Sequence, residues 1–245
     1  MNANSNLIRY FFDLHIHTSL SPCASDDMTP NNIVNMALLK GLDFIAVTDH
    51  NSVGNVEAVM KCASDKDIVV IPGMEIESSE EVHLLCLFKT MESAAQMELF
   101  VKKHLPDIKN RPDIFGEQIL YDEADNIIGY NENLLITATS LSVNRIKELA
   151  DSLGGIVIPS HVDRDSFSII SNLGFIPEDL DFNIIEISKS ISRDDVYHKF
   201  PYTKKYKVIS NSDAHELYQI SEPEEYFELS EKTVDCLFDH FRKIK

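Results

Sequence analysis

The sequence predicts an α/β protein built as a closed barrel of strands and helices, and three observations support this prediction. Short apolar segments that suit buried strands alternate with amphipathic segments that suit helices, the pattern of repeated βαβ units. At least seven such strands fall within 245 residues, a common length for a single barrel domain. The strands are near-continuous apolar runs, as in a parallel sheet covered on both faces. Residues 1–245 are therefore predicted to form one domain.

The first third of the chain alternates cleanly. Strands are predicted over residues 9–15, 43–48, 68–71 and 82–88, and helices over residues 29–40 and 51–63. The first helix begins at Thr29 and Pro30, because threonine is a good N-cap and proline suits the first helical position. It ends before Gly41, a typical C-terminal stop.

The second half continues with short strands and a final helix. Strands are predicted over residues 156–158, 183–187 and 207–209, and helices over 144–153 and 233–244. Residues 91–139 do not fit the alternation and are predicted to form an insertion over one end of the barrel, with a helix near 96–105 and a hairpin within 119–130. Such an insertion can contact substrate or be purely structural. An open doubly wound sheet remains the alternative fold, although no GxGxxG or GxxxxGK[ST] motif supports a nucleotide-binding version.

The net charge of −18 limits the expected partners. A surface this acidic repels a polyanion unless a local basic site or a bound metal reverses the field. Extended binding to duplex nucleic acid is therefore not expected. A small phosphorylated molecule or the end of a short oligonucleotide remains compatible with this charge, and the oligomeric state is left open.

The sequence contains only weak signals for membrane or secretory targeting and for disulfide bonding. No apolar run approaches the roughly 20 residues that span a bilayer, and the N-terminus lacks an apolar signal core. The four cysteines are scattered and form no CxxC pair, which fits free thiols in a reducing compartment. We therefore expect a cytoplasmic protein that is not associated with a membrane.

Six of the nine histidines lie at the ends of predicted strands. Because strand ends converge on one face of a β/α barrel, we expect these imidazoles to meet there. Carboxylates occupy the same strand ends, at Asp13, Asp49, Glu75 and Asp213. The six histidines are His15, His17, His50, His83, His161 and His215.

Mixed imidazoles and carboxylates are the ligands that Zn²⁺, Mn²⁺ or Fe²⁺ prefer. Alternate residues of a strand point to the same side, so His15 and His17 can bind one ion together, and Asp213 with His215 repeats this spacing. A bridging carboxylate can hold two ions. The alternative is a set of histidines and acids paired for packing, but so many buried polar groups would be costly without a cation.

Together these motifs resemble the polymerase-and-histidinol-phosphatase (PHP) superfamily of metal-dependent phosphoesterases. The resemblance runs from Asp13 to His215 and covers nearly the whole chain outside the insertion. Its segments are DLHIHTSLSPC, GLDFIAVTDHNS, IVVIPGMEIES, the strand with His83, IPSHVDR and VISNSDAH. The fold that it implies is a distorted (β/α)7 barrel.

The resemblance also implies a cluster of two or three divalent ions, Zn, Mn or Fe. One ion would be bound by His15, His17 and Asp213, a second by His50 and His215, and a third by His83 and His161, with Glu75 bridging ions. Asp13 and Asp49 would orient imidazoles without binding metal.

One position departs from the family pattern. Members often carry Asp or His a few residues after the second histidine of His-x-His, whereas this chain reads Ser19-Leu20-Ser21-Pro22-Cys23. Cys23 could bind metal as a thiolate, which would favour zinc and make the site sensitive to oxidation. Asp26 or Asp27 could bind instead, with Cys23 a bystander.

The expected activity is hydrolysis of a phosphate ester by a water that bridges two metal ions, with Glu75, Asp213 and His215 as the catalytic residues. Arg164 and Arg193 are candidates to bind the phosphate, because a guanidinium pairs with it bidentately. The expected substrate is a small phosphomonoester, a nucleotide or a short oligonucleotide end.

Two other functions remain open. The chain could be a non-catalytic or regulatory metal-binding module that acts through Cys23. It could also hydrolyse carbon–nitrogen bonds, since amidohydrolase barrels use His-x-His as well. Those barrels commonly bridge their metals with lysine, and Glu75 in that place favours phosphoester chemistry.

Overall fold

The computed structural model describes residues 7–244, which form ten strands and eight α-helices. The strands are β1 (Ile8–Ile16), β2 (Phe44–Val47), β3 (Val69–Glu77), β4 (His83–Leu87), β5 (Ile119–Tyr121), β6 (Ile127–Tyr130), β7 (Ile156–Pro159), β8 (Ile184–Ile187), β9 (Lys207–Ser210) and β10 (Tyr226–Leu229). The helices are α1 (Pro30–Leu39), α2 (Val56–Ala63), α3 (Met91–His104), α4 (Pro112–Phe115), α5 (Val143–Ser152), α6 (Ile169–Leu173), α7 (Arg193–Lys199) and α8 (Val234–Lys243).

Six strands form one curled sheet in the order β10-β1-β2-β3-β4-β7. Strands β1, β2 and β3 are parallel, and β10 pairs with β1 in the antiparallel direction. A separate parallel pair, β8 and β9, lies next to β7. Beyond β9, Ala214 forms a parallel bridge with Ile16 at the end of β1. The mixed α/β class and a barrel-like curvature are therefore confirmed.

The prediction of an all-parallel barrel is wrong at β4. This strand is antiparallel to both β3 and β7, because only residues 78–82 connect it to β3, too few for a helical crossover. His83 is the first residue of β4 and pairs with Glu77 at the end of β3. The reversed strand thus places His83 on the same rim as the C-terminal ends of the parallel strands.

The buried side chains form two apolar layers. One lies between the strands and helices α1, α2, α3 and α5, where Ile45, Val47 and Met74 are fully buried. The other fills the inside of the curled sheet and is closed by α8, with Leu14, Leu85 and Phe238 among its members. A rigid core of this kind fixes the strand ends that carry the histidines.

The ends of several elements match the sequence prediction, and some elements were missed. Helix α1 is capped by Thr29, whose side chain accepts a hydrogen bond from the Asn32 amide. Helix α2 begins at Val56 rather than near residue 51, since Asn51 has a φ of 52° and turns the chain out of the strand. Strand β10 and the short helices α4, α6 and α7 were not predicted.

Within residues 91–139, helix α3 packs against β3 and so lies with the barrel helices. The β5–β6 hairpin lies against the loop that follows β1. The Ile119 amide donates to the Ser19 carbonyl at 2.9 Å, and the Asn55 side chain bonds to both Ile119 and Tyr121. The hairpin therefore forms a wall beside the loop that carries Cys23.

Among residues 7–244, none of the helices combines the length and apolar character that a bilayer crossing requires. Cys23, Cys62, Cys86 and Cys236 all lie in this described part of the chain, and all four are free thiols.

Candidate metal centre

Glu75 is the centre of the cluster and is 1% exposed. It belongs to the buried run of β3 and lies near the end of that strand, at the rim where the parallel strands end. Five imidazole nitrogens lie within 3.6 Å of its carboxylate oxygens. The distances are 3.3 Å from His15 Nε2, 3.6 Å from His17 Nε2, 3.2 Å from His50 Nδ1, 3.1 Å from His83 Nδ1 and 3.4 Å from His161 Nε2.

The two oxygens of Glu75 face different histidines. Oε1 is near His15, His83 and His161, whereas Oε2 is near His17 and His50. Oε1 is buried, and no group within residues 7–244 donates a hydrogen bond to it. A carboxylate whose oxygens face two sets of nitrogen donors has the geometry of a bridge between two cations.

Asp213 closes the cluster from the side of β9. Its Oδ1 lies 3.2 Å from His15 Nε2 and 3.1 Å from His17 Nε2, and its Oδ2 accepts from Arg164 Nη2 at 2.8 Å. The φ of Asp213 is 52°, a left-handed conformation that is uncommon for residues other than glycine. Since Asp tolerates this region better than most residues, the turn can direct its side chain back over β1.

Side-chain hydrogen bonds fix the orientation of three imidazoles. His15 Nδ1 lies 3.0 Å from Glu186 Oε1, and His17 Nδ1 lies 2.9 Å from the Ser21 hydroxyl, which itself donates to Asp49 at 2.7 Å. His215 Nδ1 lies 2.9 Å from the Asp213 carbonyl. With each Nδ1 donating to these acceptors, the Nε2 lone pairs are free to bind metal.

Glu186 is a site residue that the sequence reasoning missed. It is 1% exposed on β8 and accepts from His15 Nδ1, from the His161 amide at 3.0 Å and from Asn211 Nδ2 at 2.7 Å. The available signal was a single charged residue within the apolar strand NIIEI, since an unpaired carboxylate is rarely buried.

The two predicted orienting carboxylates have different roles from those expected. Asp49 reaches an imidazole only through Ser21. Asp13 accepts from the amides of Ser212 at 3.0 Å and Ser221 at 2.9 Å and contacts no imidazole. It therefore fixes the segment that carries Asp213, and the carboxylate that orients His15 is Glu186.

The electrostatic effects within the cluster are large. Burial alone would lower the pKa of His15, but Glu186, Asp213 and Glu75 outweigh burial and hold that pKa well above its usual value. Burial and the neighbouring His215 and His50 lower the pKa of His17. The carboxylates thus create a negative field in a buried place, which is where a cation is stabilised.

Cys23 lies beside His50 and His215. Desolvation raises the pKa of its thiol, but hydrogen bonds with His215 and His50 outweigh that effect and lower the pKa to about 6. The residue is exposed at the mouth of the cluster, and its sulfur faces the two imidazoles. A thiol with this environment is a thiolate at neutral pH, the form that binds metals and reacts with oxidants.

The donor set fits divalent cations. The candidate ligands form three groups, and within each group the ligand atoms lie within 4.8 Å of one another. The groups are His17 with His50 and His215, His15 and His17 with Glu75 and Asp213, and His50 with Glu75 and His83. Nitrogen ligands about 2.0–2.1 Å from a tetrahedral ion are separated by about 3.3 Å. The observed separations of 3.1–3.6 Å between Glu75 and its imidazoles are close to that value.

The structure brings together most of the predicted site residues but not all. Arg164 reaches Asp213 and is 43% exposed, so it faces the open side of the cluster. Arg193 is different, because its guanidinium bonds to the Val208 carbonyl at 3.2 Å and pairs with Glu225. Neither partner belongs to the cluster, so the structure does not bring Arg193 to the site.

The PHP domain family matches residues 13–155, more than half of the chain. This chain belongs to the PHP family. An uncharacterized protein of Methanocaldococcus jannaschii is 26% identical over 163 residues, which are 65% of this chain and 17% of that protein.

Solved structures share the fold. The lesion-specific endonuclease Q of Pyrococcus furiosus matches with a TM-score of 0.73 and 19% identity, over 97% of this PHP chain and 57% of the endonuclease. A Bifidobacterium adolescentis protein described as a metal-dependent phosphoesterase matches with a TM-score of 0.59 and 16% identity, over 96% and 95% of the two chains. This PHP chain therefore spans only part of the archaeal relative and of endonuclease Q.

The net charge led to the expectation that this protein does not bind an extended nucleic acid duplex, and that expectation was wrong. Endonuclease Q has been crystallised with a 27-mer duplex that carries an abasic lesion at the active site. That structure matches this chain with a TM-score of 0.70 and 18% identity, over 97% of this chain and 57% of the endonuclease. A protein that contains this fold as 57% of its chain therefore binds a duplex. A net charge of −18 describes the whole surface and does not determine the field at one face.

Proposed function

We propose that this chain is a metal-dependent phosphoesterase whose metal ligands are His15, His17, Cys23, His50, Glu75, His83, His161, Asp213 and His215. The observation that carries the proposal is the contact between His15 and His17. Their Nε2 atoms lie 3.1 Å apart, while both Nδ1 atoms have acceptors on the opposite side. Both Nε2 atoms also lie within 3.6 Å of carboxylate oxygens of Glu75 and Asp213, so a divalent cation at this buried point would meet two imidazoles and balance two carboxylates.

The ligand atoms suggest how the ions would be divided. His15 and His17 with Asp213 form one group, His50 and His215 with Cys23 form a second, and His83 with His161 forms a third. Glu75 would join them, since its oxygens face different groups. Two or three ions, Zn, Mn or Fe, are consistent with a ligand set of nitrogen, oxygen and one sulfur.

Bound divalent ions would polarise the phosphoryl group and lower the pKa of a coordinated water. The residues of this chain have separate tasks. Glu75 and Asp213 hold the imidazoles in one place and balance the positive charge. His215 is the most open imidazole of the second group, with 24% of its side chain exposed, and lies next to Asp213. It would therefore hold its metal ion on the open side of the cluster, where an entering water or a leaving oxygen arrives.

Arg164 would bind the phosphate. Its Nη2 lies 2.8 Å from Asp213 Oδ2, and 43% of its side chain is exposed on the open side of the cluster. When a phosphate approaches, the guanidinium can keep one contact with Asp213 and give a second to a phosphoryl oxygen. Arg193 is not included, because Glu225 and Val208 already occupy its guanidinium.

Small phosphomonoesters, nucleotides and nucleic acid phosphodiesters all belong in the substrate search. The open rim around Arg164 suits a phosphate ester without fixing the size of its leaving group. The complex of endonuclease Q with a 27-mer duplex supports including a duplex that carries an abasic site.

The test is hydrolysis by purified protein loaded with Zn, Mn or Fe, across phosphomonoesters, nucleotides, short oligonucleotides and an abasic duplex. We expect at least one ester to be cleaved and a chelator to abolish the cleavage. Glu75→Gln should remove the activity and leave the protein folded, whereas Glu178→Gln, at an exposed glutamate paired with Lys205, should keep the activity. Cleavage that survives complete removal of metal, or full turnover by Glu75→Gln, would show the proposal to be wrong.

A further inference from the structure

The loop between β7 and α6 carries an exposed aromatic ring at the edge of the metal centre. The ring of Phe167 stacks on the imidazole of His83, with centroids 4.8 Å apart and an interplanar angle of 25°. Phe167 is 43% exposed, although most large apolar side chains of this rim are buried. One face of the ring is thus covered by a candidate metal ligand, and much of its remaining surface is open to solvent.

The backbone holds this ring in an unfavourable conformation. The φ of Phe167 is 54°, in the left-handed region that bulky side chains rarely adopt, and His161 in the same loop has a φ of 30°. Strain of this kind persists only where the surrounding structure enforces it, and it concentrates at binding sites. Phe167 is therefore presented at the rim despite a local preference for other conformations.

Several hydrogen bonds fix the loop relative to the metal centre. The Phe167 carbonyl accepts from the His83 amide at 3.0 Å, and the Ser168 hydroxyl donates to the Arg164 carbonyl at 2.8 Å. Asp163 accepts from the Ser188 amide at 2.7 Å. The ring and the Arg164 guanidinium thus belong to one braced loop, three residues apart, and both face the cluster.

We propose that Phe167 is a specificity-determining residue that stacks against a planar aromatic ring of the substrate, such as a nucleobase, beside the phosphate bound by Arg164. The inference rests on the proposed phosphoesterase function and names the class of its substrate. An exposed aromatic face next to a cation is the arrangement by which proteins bind an unpaired base together with its phosphate. Stacking on an aromatic side chain strengthens the binding of a base, and substitution of that side chain measures the gain.

The experiment compares adenosine 5′-monophosphate with ribose 5-phosphate, which share the same phosphate ester and differ in the base. Binding to the metal-loaded protein is measured by calorimetry, and hydrolysis is measured in parallel. We expect the adenosine compound to bind about tenfold more tightly, a difference of about 1.4 kcal/mol. Phe167→Leu should remove that advantage and leave the affinity for ribose 5-phosphate unchanged, and Phe167→Tyr should retain the advantage.

Controls distinguish stacking on a base from two alternatives: that Phe167 only shields His83, and that the protein is not a phosphoesterase. Phe175→Leu, at an aromatic residue that is 58% exposed outside the loop, should change neither affinity. If Phe167 only shields His83, its loss will lower kcat for both compounds equally and leave the ratio of their KM values unchanged, which overturns the inference. Equal binding of the two compounds by wild type, or no binding of either, also overturns it. If the base still strengthens binding but no ester is cleaved, the phosphoesterase proposal fails and the stacking inference stands.

Discussion

At the scale of single residues, the site depends on carboxylates that hold imidazoles as much as on the imidazoles themselves. Glu186 is the main example, because it bonds His15, the His161 amide and Asn211 at once. From β8, Glu186 thus contacts both the ligand group of His15 and the ligand group of His161. Its removal should disturb metal binding without exposing the core.

Glu186→Gln should lower metal affinity by about 10–100-fold, the usual cost of losing a residue that orients a ligand. The amide keeps the shape of the side chain but loses the charge that favours His15 in its bound orientation. Competition with a coloured chelator measures the affinity, and Glu178→Gln serves as the control. An unchanged affinity in a folded Glu186→Gln variant would remove Glu186 from the account.

Cys23→Ser should reduce the preference for zinc over manganese by about tenfold, because thiolate favours zinc and a hydroxyl does not. The variant should also lose any inactivation by peroxide, since the pKa of about 6 makes Cys23 the reactive thiol at the rim. Competition between the two metals and a peroxide time course measure these effects. Cys236→Ser is the matched control. Identical metal ratios and peroxide responses in both variants would show that Cys23 is a bystander.

At the scale of elements, the reversed strand β4 brings His83 to the cluster. The reversal requires close packing of β3 against β4, and Gly73 lies at that contact, opposite Leu87. A methyl group on Gly73 would lie 2.9 Å from Leu87 Cδ2 and 3.0 Å from the Cys86 carbonyl. This part of the sheet therefore has no room for a larger residue.

Gly73→Ala should destabilise the protein by about 1–3 kcal/mol, the usual cost of overpacking a dense core. Urea unfolding measures the change. Gly129→Ala on strand β6 is a fair control, because a methyl group there would meet only Leu120, at 3.9 Å. Equal stability of the two variants would mean that β3 and β4 are not packed as described.

The elements also show what the sequence can and cannot predict. The strand-end histidines were predictable, because a buried apolar run followed by a polar ligand is a local pattern. The direction of β4 was not, since an apolar run such as VHLLCLF suits a parallel or an antiparallel strand equally well. Helix α7 was missed although Ser192 and two acidic residues mark its first turn, because it is only seven residues long. Arg193 follows a strand in sequence, but the start of α7 directs it toward Glu225.

At the scale of the whole molecule, metal binding and folding should be coupled. The proposed ligands come from β1, β3, β4 and the segments that follow β1, β2, β7 and β9, so one cluster connects most of the barrel. A ligand that binds the folded state at 100 times its dissociation constant adds about 2.7 kcal/mol of stability. Removing the metal should therefore lower Tm by about 5–10 °C for a chain of this size. Thermal unfolding with and without chelator measures this change, and equal values would mean that metal does not link these strands.

Metal content distinguishes a bridged metal cluster from histidines and acids that are packed without metal. Elemental analysis measures it in the purified protein and in Glu75→Gln, after equilibration with zinc or manganese. Because the two oxygens of Glu75 face different histidines, we predict two to three ions per chain in wild type and at least one fewer in the variant. A wild-type protein that binds no ion, or a folded Glu75→Gln variant with full occupancy, would contradict the claim that Glu75 bridges a metal cluster.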